Sequence, residues 1–373
     1  MKVLHVHSGN LYGGVETFLR TLARYRALEP SMQMSVALCF HGQIAGELSA
    51  EGVPVIDLGA VRLRNPSTIW RARRTLAALL ERDPHDVIVC HQAWPHAIFG
   101  PVAKRARVPL VLWVHTAGTG YHWLDRLARR VPPDLLVCNS RFTASTVTGT
   151  AAKIEVVYYP IGLRNNETSA SERASARAEL NTAFEDVVII QVSRMESLKG
   201  HRVCIEALAQ LKHLSGWTCW QVGGAQQPSE LRYVESLKEV AEQHGVAARV
   251  RFAGHRTDVS RLLRAADIFC QPNIAPDAFG ISFVEALSAG LPVVTSAIGG
   301  APEVIDSTCG LLVEPSNPTS VSTALEHLIS DRTARRRLGS NGPDRAQRLC
   351  DPAVQMPRIA AVLESVVSQS CTC

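Results

Sequence analysis

Short apolar runs alternate with longer amphipathic stretches along nearly the whole chain. KVLHVH (2–7), MSVALCF (34–40), VPVIDL (53–58), DVIVCH (86–91), VPLVLWVH (108–115), DLLVCN (134–139) and IEVVYYP (154–160) predict strands, and most segments between them predict helices. The runs are almost continuously apolar rather than alternating, which marks strands covered on both faces. Strand–helix alternation of this kind predicts a parallel, doubly wound sheet. The pattern breaks over RNNETSASERASARAELNTA (164–183), a polar stretch read as a linker with a short helix. It then resumes with DVVIIQVS (186–193), WTCWQVGG (217–224), RVRFAG (249–254), ADIFCQP (266–272), LPVVTSA (291–297) and CGLLVEP (309–315). The expected fold class is therefore α/β, with two facing Rossmann-like doubly wound domains over 1–163 and 164–350. Residues 351–373 are expected to form a helix that packs back on the first domain, followed by a tail. Ligands of such sheets bind beyond the carboxyl ends of the strands, so the crevice between two facing domains is the expected site.

Composition changes this picture little. The 373 residues are 46% hydrophobic and 20% charged, as in ordinary globular chains of about two domains. No apolar run approaches the roughly 18 residues of a membrane helix. Met1-Lys2 runs straight into VLHVHSGN, which lacks the apolar core of a signal peptide, so a cytoplasmic protein is expected. The ten cysteines are scattered without a Cys-x-x-Cys pair, which predicts reduced thiols rather than zinc ligands or a disulfide framework. Charge is more informative. Residues 1–163 carry 18 Lys and Arg against 11 Asp and Glu, whereas the remainder carries 21 against 23. A basic first half implies an anionic partner for it. Arg62, Arg64, Arg71, Arg73 and Arg74, then Lys104, Arg105 and Arg107, then Arg126, Arg129 and Arg130 supply that charge. In YHWLDRLARR (121–130), Trp123, Leu124 and Leu127 stand beside arginines at helical spacing. This is either a solvated face or a peripheral contact with an anionic membrane surface.

The densest chemistry lies in PDAFGISFVEALSAGLPVV (276–294). Gly280 permits a sharp turn into a helix, and the free amides of Gly280, Ile281 and Ser282 would form an anion site at the positive end of its dipole. Asp277 and Glu285 flank that turn, where carboxylates accept hydrogen bonds from sugar hydroxyls. Ser282 and Glu285 also have capping-box spacing, so a plain helix cap is an alternative for Glu285. Upstream, QVSRMESLKGHR (191–202) presents Arg194 and Lys199 after a buried strand, five positions apart, as a clamp for a diphosphate. Gly223-Gly224 and Gly254 follow two further strands and allow close backbone approach to a ligand. In the first half, SGNLYGGVETFLRTLA (8–23) places Gly13, Gly14 and Glu16 after the first strand. It is neither a dinucleotide fingerprint nor a Walker loop. His115 ends a buried strand, where it either meets a ligand or is a satisfied core histidine.

Taken in order, Gly13-Gly14-Val15-Glu16, His115, Arg194…Lys199-Gly200 and Asp277-x7-Glu285 around Phe279-Gly280 resemble glycosyltransferase family 4, the retaining nucleotide-sugar transferases of the GT-B fold. The resemblance implies that Glu285 holds the ribose and that Arg194 and Lys199 take the diphosphate. It implies that the amides of Phe279, Gly280 and Ile281 touch sugar and phosphate, with Gly223 close by. The base would lie near Gly254, His255 and Arg256. Gly13 and Gly14 would face the donor phosphates, Glu16 the acceptor, and His115 a donor-sugar hydroxyl. Asp277 departs from the family's usual Glu by one methylene, which bears on sugar identity and turnover. The reaction implied moves a hexose from a UDP-, GDP- or ADP-sugar to a hydroxyl of a glycan or lipid-linked glycan, in polysaccharide or glycolipid synthesis, with retention. No Asp-x-Asp motif is present, so no essential metal and no cofactor beyond the sugar nucleotide are expected, nor any nucleic-acid partner. A phosphorylase or epimerase of the same fold, and a catalytically weak homologue serving as a partner subunit, are the alternatives. Sugar-nucleotide binding without turnover, in Asp277→Glu as in the wild type, would favour the last.

Overall fold

Seven strands of the first half pair side by side in one parallel sheet: β1 (Lys2–His7), β2 (Gln33–Leu38), β3 (Val55–Asp57), β4 (Val87–His91), β5 (Leu110–Val114), β6 (Leu135–Cys138) and β7 (Lys153–Val156). Their order is β3-β2-β1-β4-β5-β6-β7. Six strands of the second half form another parallel sheet: β8 (Val187–Val192), β9 (Trp217–Val222), β10 (Val250–Gly254), β11 (Ile268–Gln271), β12 (Val293–Ser296) and β13 (Gly310–Val313). Their order is β10-β9-β8-β11-β12-β13. The computed structural model describes residues 1–10, 12–117, 123–162 and 169–370. Two compact units result, Met1–Gly162 with Cys350–Cys373, and Leu163–Leu349.

The apolar runs explain both sheets. β4 is buried at every position, as is β9, because helices cover both faces. In the first unit, Leu4, Val6, Ile88 and Cys90 of the sheet pack with Leu76, Leu79 and Phe99 of the helices Pro66–Arg82 and Ala93–Arg105. In the second, Ile189, Cys219 and Ile268 pack with Leu208, Leu237 and Leu325. Burying each such side chain contributes about 1.5–3 kcal/mol. The helix Pro352–Ser370 belongs to the first unit: Met356, Ile359 and Leu363 are buried, and Arg358 donates to the Val156 carbonyl at 2.8 Å. The eight cysteines among the described residues are buried free thiols.

The strand order of each parallel sheet reverses between its first and fourth strands, β1 beside β4 and β8 beside β11. At such a switch point the loops leaving the two strands diverge to opposite faces and leave a crevice beyond their carboxyl ends. Both sequence-predicted constellations leave these strands. Arg194 and Lys199 follow β8, Asp277 and Glu285 follow β11, Gly13 to Glu16 follow β1, and the sequence after β4 opens the helix Ala93–Arg105.

Candidate functional site

At the β8/β11 crevice the chain turns are closed by glycines. Gly200, at φ +74°, ends the turn Ser197–Lys199, and a side chain there would land on the Pro272 carbonyl just after β11. The two loops therefore touch backbone to backbone. Gln191, fully buried on β8, donates to the Lys199 carbonyl at 2.8 Å and fixes that turn from below. Lys199 Nζ then reaches Asp277 Oδ2 at 2.6 Å, with both side chains about a quarter exposed. Arg194 pairs with Glu196 at 2.5 Å and lies 4.0 Å from Glu230, whose other oxygen accepts the Gln226 amide at 2.6 Å. Glu196 and Glu230 are partners that sequence reasoning did not assign, although Glu196 lies only two positions from Arg194.

Gly280 adopts φ +90°, where an added Cβ would strike the Phe283 ring, and starts the helix Ile281–Ser288. Phe283 donates its amide to the Gly280 carbonyl, while those of Gly280, Ile281 and Ser282 have no protein acceptor among the described residues. They form the anion-receptive tip expected from the helix dipole. The capping-box alternative is not what forms. Ser282 lies inside the helix and its hydroxyl donates to Gln271 Oε1 at 3.3 Å. Glu285 falls in the second turn, because Gly280 rather than Ser282 is the N-cap. The Glu285 carboxyl has no hydrogen-bond or cation partner among the described residues, and burial pushes its pKa up to about 7. Phe279 is buried, and Gly299 and Gly300 pack so closely under residues 277–279 that side chains there would meet the Asp277 and Ala278 carbonyls. Sequence reasoning did not single out that glycine pair.

Gly223 and Gly254 come together through a backbone hydrogen bond of 2.9 Å, and Gly224 packs on the His255 side chain. Arg256 sits in an ion-pair network. Its guanidinium spans both oxygens of Asp258 at 2.8 Å and reaches Glu179 at 2.5 Å, and Arg261 joins the same two acids. Arg256 thereby holds the Asp258 carboxyl well below the usual range. The group bolts the helix Ala170–Glu179 to the loop after β10.

In the first unit, Gly13 caps the helix Gly14–Tyr25 and donates its amide to Glu16 Oε2 at 2.9 Å, while Glu16 Oε1 meets His7 Nε2 at 2.6 Å. Glu16 is buried. His115 does not present a free nitrogen. Its Nε2 bonds His91 Nδ1 at 2.8 Å, its Nδ1 bonds the Tyr159 hydroxyl, and His91 Nε2 bonds His5 Nδ1 at 3.0 Å. Asn139 closes the chain on the Tyr159 oxygen at 3.0 Å and on the His115 carbonyl at 3.2 Å. Burial, then the neighbouring imidazoles, hold His115 and His91 well below the ordinary histidine range, and burial pushes His5 down to about 3. The histidines are neutral polar crosslinks between β1, β4 and β5. In this network the two ring nitrogens of His115 meet His91 and Tyr159.

In the amphipathic stretch 121–130, the helix is Trp123–Ala128, and residues 121 and 122 lie outside the described residues. No helix among the described residues is long and apolar enough to cross a membrane.

Two parallel α/β units, the second with a lysine–carboxylate pair beside a bare helix tip at its switch point, define the GT-B architecture. Comparison with known proteins agrees. The model of "Glycosyltransferase Family 4" matches residues 12–164, and that of "Glycosyl transferases group 1" matches residues 172–345. The chain belongs to glycosyltransferase family 4. It is 35% identical over 185 residues to a D-inositol 3-phosphate glycosyltransferase of Corynebacterium kroppenstedtii, covering 48% of this chain and 41% of that relative. It is 28% identical over 305 residues to a GDP-mannose-dependent alpha-(1-6)-phosphatidylinositol monomannoside mannosyltransferase of Mycolicibacterium smegmatis, covering 75% of this chain and 78% of that one. The crystal structure of Anabaena Alr3699/HepE in complex with UDP-glucose superposes with a TM-score of 0.86 at 25% identity, over 98% of this chain and 100% of that one.

Proposed function

We propose that the protein transfers a hexose from a nucleoside-diphosphate sugar to an acceptor hydroxyl, with retention of anomeric configuration. The observation that carries this reading is the corner at the β8/β11 switch point. There Lys199, on the loop after β8, bonds Asp277, on the loop after β11, and the helix that follows Asp277 carries a buried Glu285 and begins with three amides that have no protein acceptor among the described residues. In this reading the diphosphate takes Lys199 from Asp277 and lies against the Gly280–Ser282 amides, with Arg194 alongside. Glu285 accepts the ribose hydroxyls, and Asp277, released from Lys199, accepts a hydroxyl of the sugar. Charge developing on the leaving diphosphate is met by groups already oriented, which is the most effective form of electrostatic catalysis. The relatives named above support a sugar nucleotide as donor and D-inositol 3-phosphate or a phosphatidylinositol mannoside as the kind of acceptor to try first.

The test is turnover of UDP-glucose and GDP-mannose with D-inositol 3-phosphate, the anomer read by NMR, with and without EDTA. Lys199→Ala is expected to lower kcat/KM by about 2.7–4 kcal/mol, as loss of one preorganised charge donor does. Free nucleoside diphosphate should appear only when an acceptor is present, and EDTA should not abolish it. Unaltered kcat/KM in Lys199→Ala removes this corner from the reaction.

A further inference from the structure

In the first unit, the helices Pro66–Arg82 and Ala93–Arg105 leave a cavity of about 510 Å³ between them. Pro84 and Val108, which precede β4 and β5, line one end of it. The cavity therefore reaches toward the amino ends of the strands, away from the carboxyl ends where such sheets hold their substrates. Its floor is apolar: Leu80 belongs to the core of this unit, and Val102 and Val108 pack against that core. Size and floor are those of a small-molecule pocket, which is mostly apolar with a few polar groups placed around it.

The charges around it are Arg73, Arg74, Arg105 and Glu81. Arg73 is fixed by a local consequence of sequence. Pro101, inside the helix Ala93–Arg105, has no N–H, so the Ala97 carbonyl four residues earlier loses its helical donor. Arg73 replaces it, donating Nη2 to the Ala97 carbonyl at 3.4 Å and Nε to that of Ile98 at 2.7 Å. One edge of the guanidinium is thus held, while Nη1 has no acceptor among the described residues. Arg74 lies over the Trp70 ring at 4.6 Å, which engages the face of its guanidinium and leaves the N–H edge. Neither Arg74 nor Arg105 has a hydrogen bond or an ion pair among the described residues, and Glu81 pairs with none of the three. Burial and then the like charge of Arg105 pull the Arg73 pKa below its ordinary value, so the two cations stand near each other with no acid between them. Trp70, on the same cavity wall, is 61% exposed and offers the largest apolar side chain there for a ligand to cover.

We propose that this cavity is a second binding site, taking a small amphipathic anion: a carboxylate or sulfonate head lies against Arg105 and the open edges of Arg73 and Arg74, and an apolar tail or ring lies on the floor beside Trp70. The site is separate from the sugar-nucleotide corner, and the proposal stands whether or not the transferase reading does. Charge selects the occupant. Three arginines against one acid repel a cation, and a neutral apolar molecule leaves the guanidinium edges unpaired. An anionic head is matched by the planar arginine fork, whose weak hydration eases its transfer from water.

The experiment titrates the full chain with decanoate, below its micellar range, by calorimetry and tryptophan fluorescence. Decanol and decyltrimethylammonium, with the same tail and a neutral or cationic head, are the controls. Decanoate is expected to bind with one site, decanol about tenfold more weakly, and the cation not at all. Trp70→Phe should remove the fluorescence change while calorimetry still records binding. Arg74→Ala and Arg105→Ala, both at exposed positions, should each weaken decanoate about tenfold, equivalent to about 1.4 kcal/mol. Glu81→Gln, also exposed, should strengthen it about twofold by removing a like charge, an outcome that a misfolded variant cannot imitate. Saturating UDP should leave the titration unchanged. Equal binding of all three heads, indifference to both arginine substitutions, displacement by UDP, or no decanoate binding overturns the proposal. A second arm sediments the protein with vesicles of phosphatidylglycerol in phosphatidylcholine. Arginine-dependent capture there, without decanoate binding in solution, makes this face a membrane contact and equally overturns the small-molecule site.

Discussion

Glu285→Gln makes opposite demands on stability and on function, and the size of each follows from one carboxyl. Burial lifts the Glu285 pKa from 4.5 to about 7, with no cation among the described residues to offset it. An acid whose folded pKa lies above its unfolded value binds more protons when folded. Its folded state is therefore penalised as pH rises through the window from about 4.5 to about 7, and fully so above it. Each unit corresponds to about 1.4 kcal/mol, so the whole shift corresponds to roughly 3 kcal/mol, and partial contact of the residue with solvent brings the expected figure nearer 2 kcal/mol. Glutamine has the same shape and carries no charge. Equilibrium urea unfolding should therefore find Glu285→Gln about 2 kcal/mol more stable than the wild type at pH 8, with the gain vanishing at pH 4.5. The same substitution should weaken UDP-glucose binding at pH 8 by about tenfold or more, because a carboxylate accepting from two hydroxyls makes stronger bonds than an amide does. Wild-type donor affinity should itself rise between pH 6 and 8 as Glu285 ionises. A stability difference independent of pH would refute the perturbed carboxyl. Unchanged donor affinity would refute its place in the site.

Two further substitutions probe neighbouring claims. Gly280→Ala places a Cβ on the Phe283 ring at φ +90°, so unfolding free energy should fall by about 1–3 kcal/mol and UDP-glucose binding with it; wild-type stability in urea would mean that the turn is not as described. Arg256→Ala should lower the melting temperature of the second unit by a few degrees, since it dissolves the Glu179–Asp258 crosslink, worth about 1 kcal/mol for a part-exposed network. A loss of donor affinity in calorimetry without any stability change would instead return Arg256 to the nucleotide.

Much of this architecture is written in local pattern. Uninterrupted apolar runs such as VVIIQV and VIVCH can only be strands covered on both faces, and their alternation with helices allows few topologies. Residues within one loop were legible too. Gly280 before a helix, with Asp277 and Glu285 on either side, needs no distant partner to be recognised. What sequence could not supply is every relation that depends on which strands lie side by side. His115 looked like a ligand contact because it ends a strand. Only the pairing of β4 with β5 sets His91 against one of its nitrogens, and Tyr159, 44 positions further on, takes the other. The Lys199–Asp277 pair joins residues 78 positions apart, and the burial that perturbs Glu285 is a property of packing rather than of residue type. Periodicity records what a residue's immediate neighbours require, whereas hydrogen-bond saturation and desolvation are set by atoms brought in from far along the chain. The sequence alone determined two wound sheets and the short segments able to carry chemistry; tertiary structure decided which of their polar atoms remain unspent.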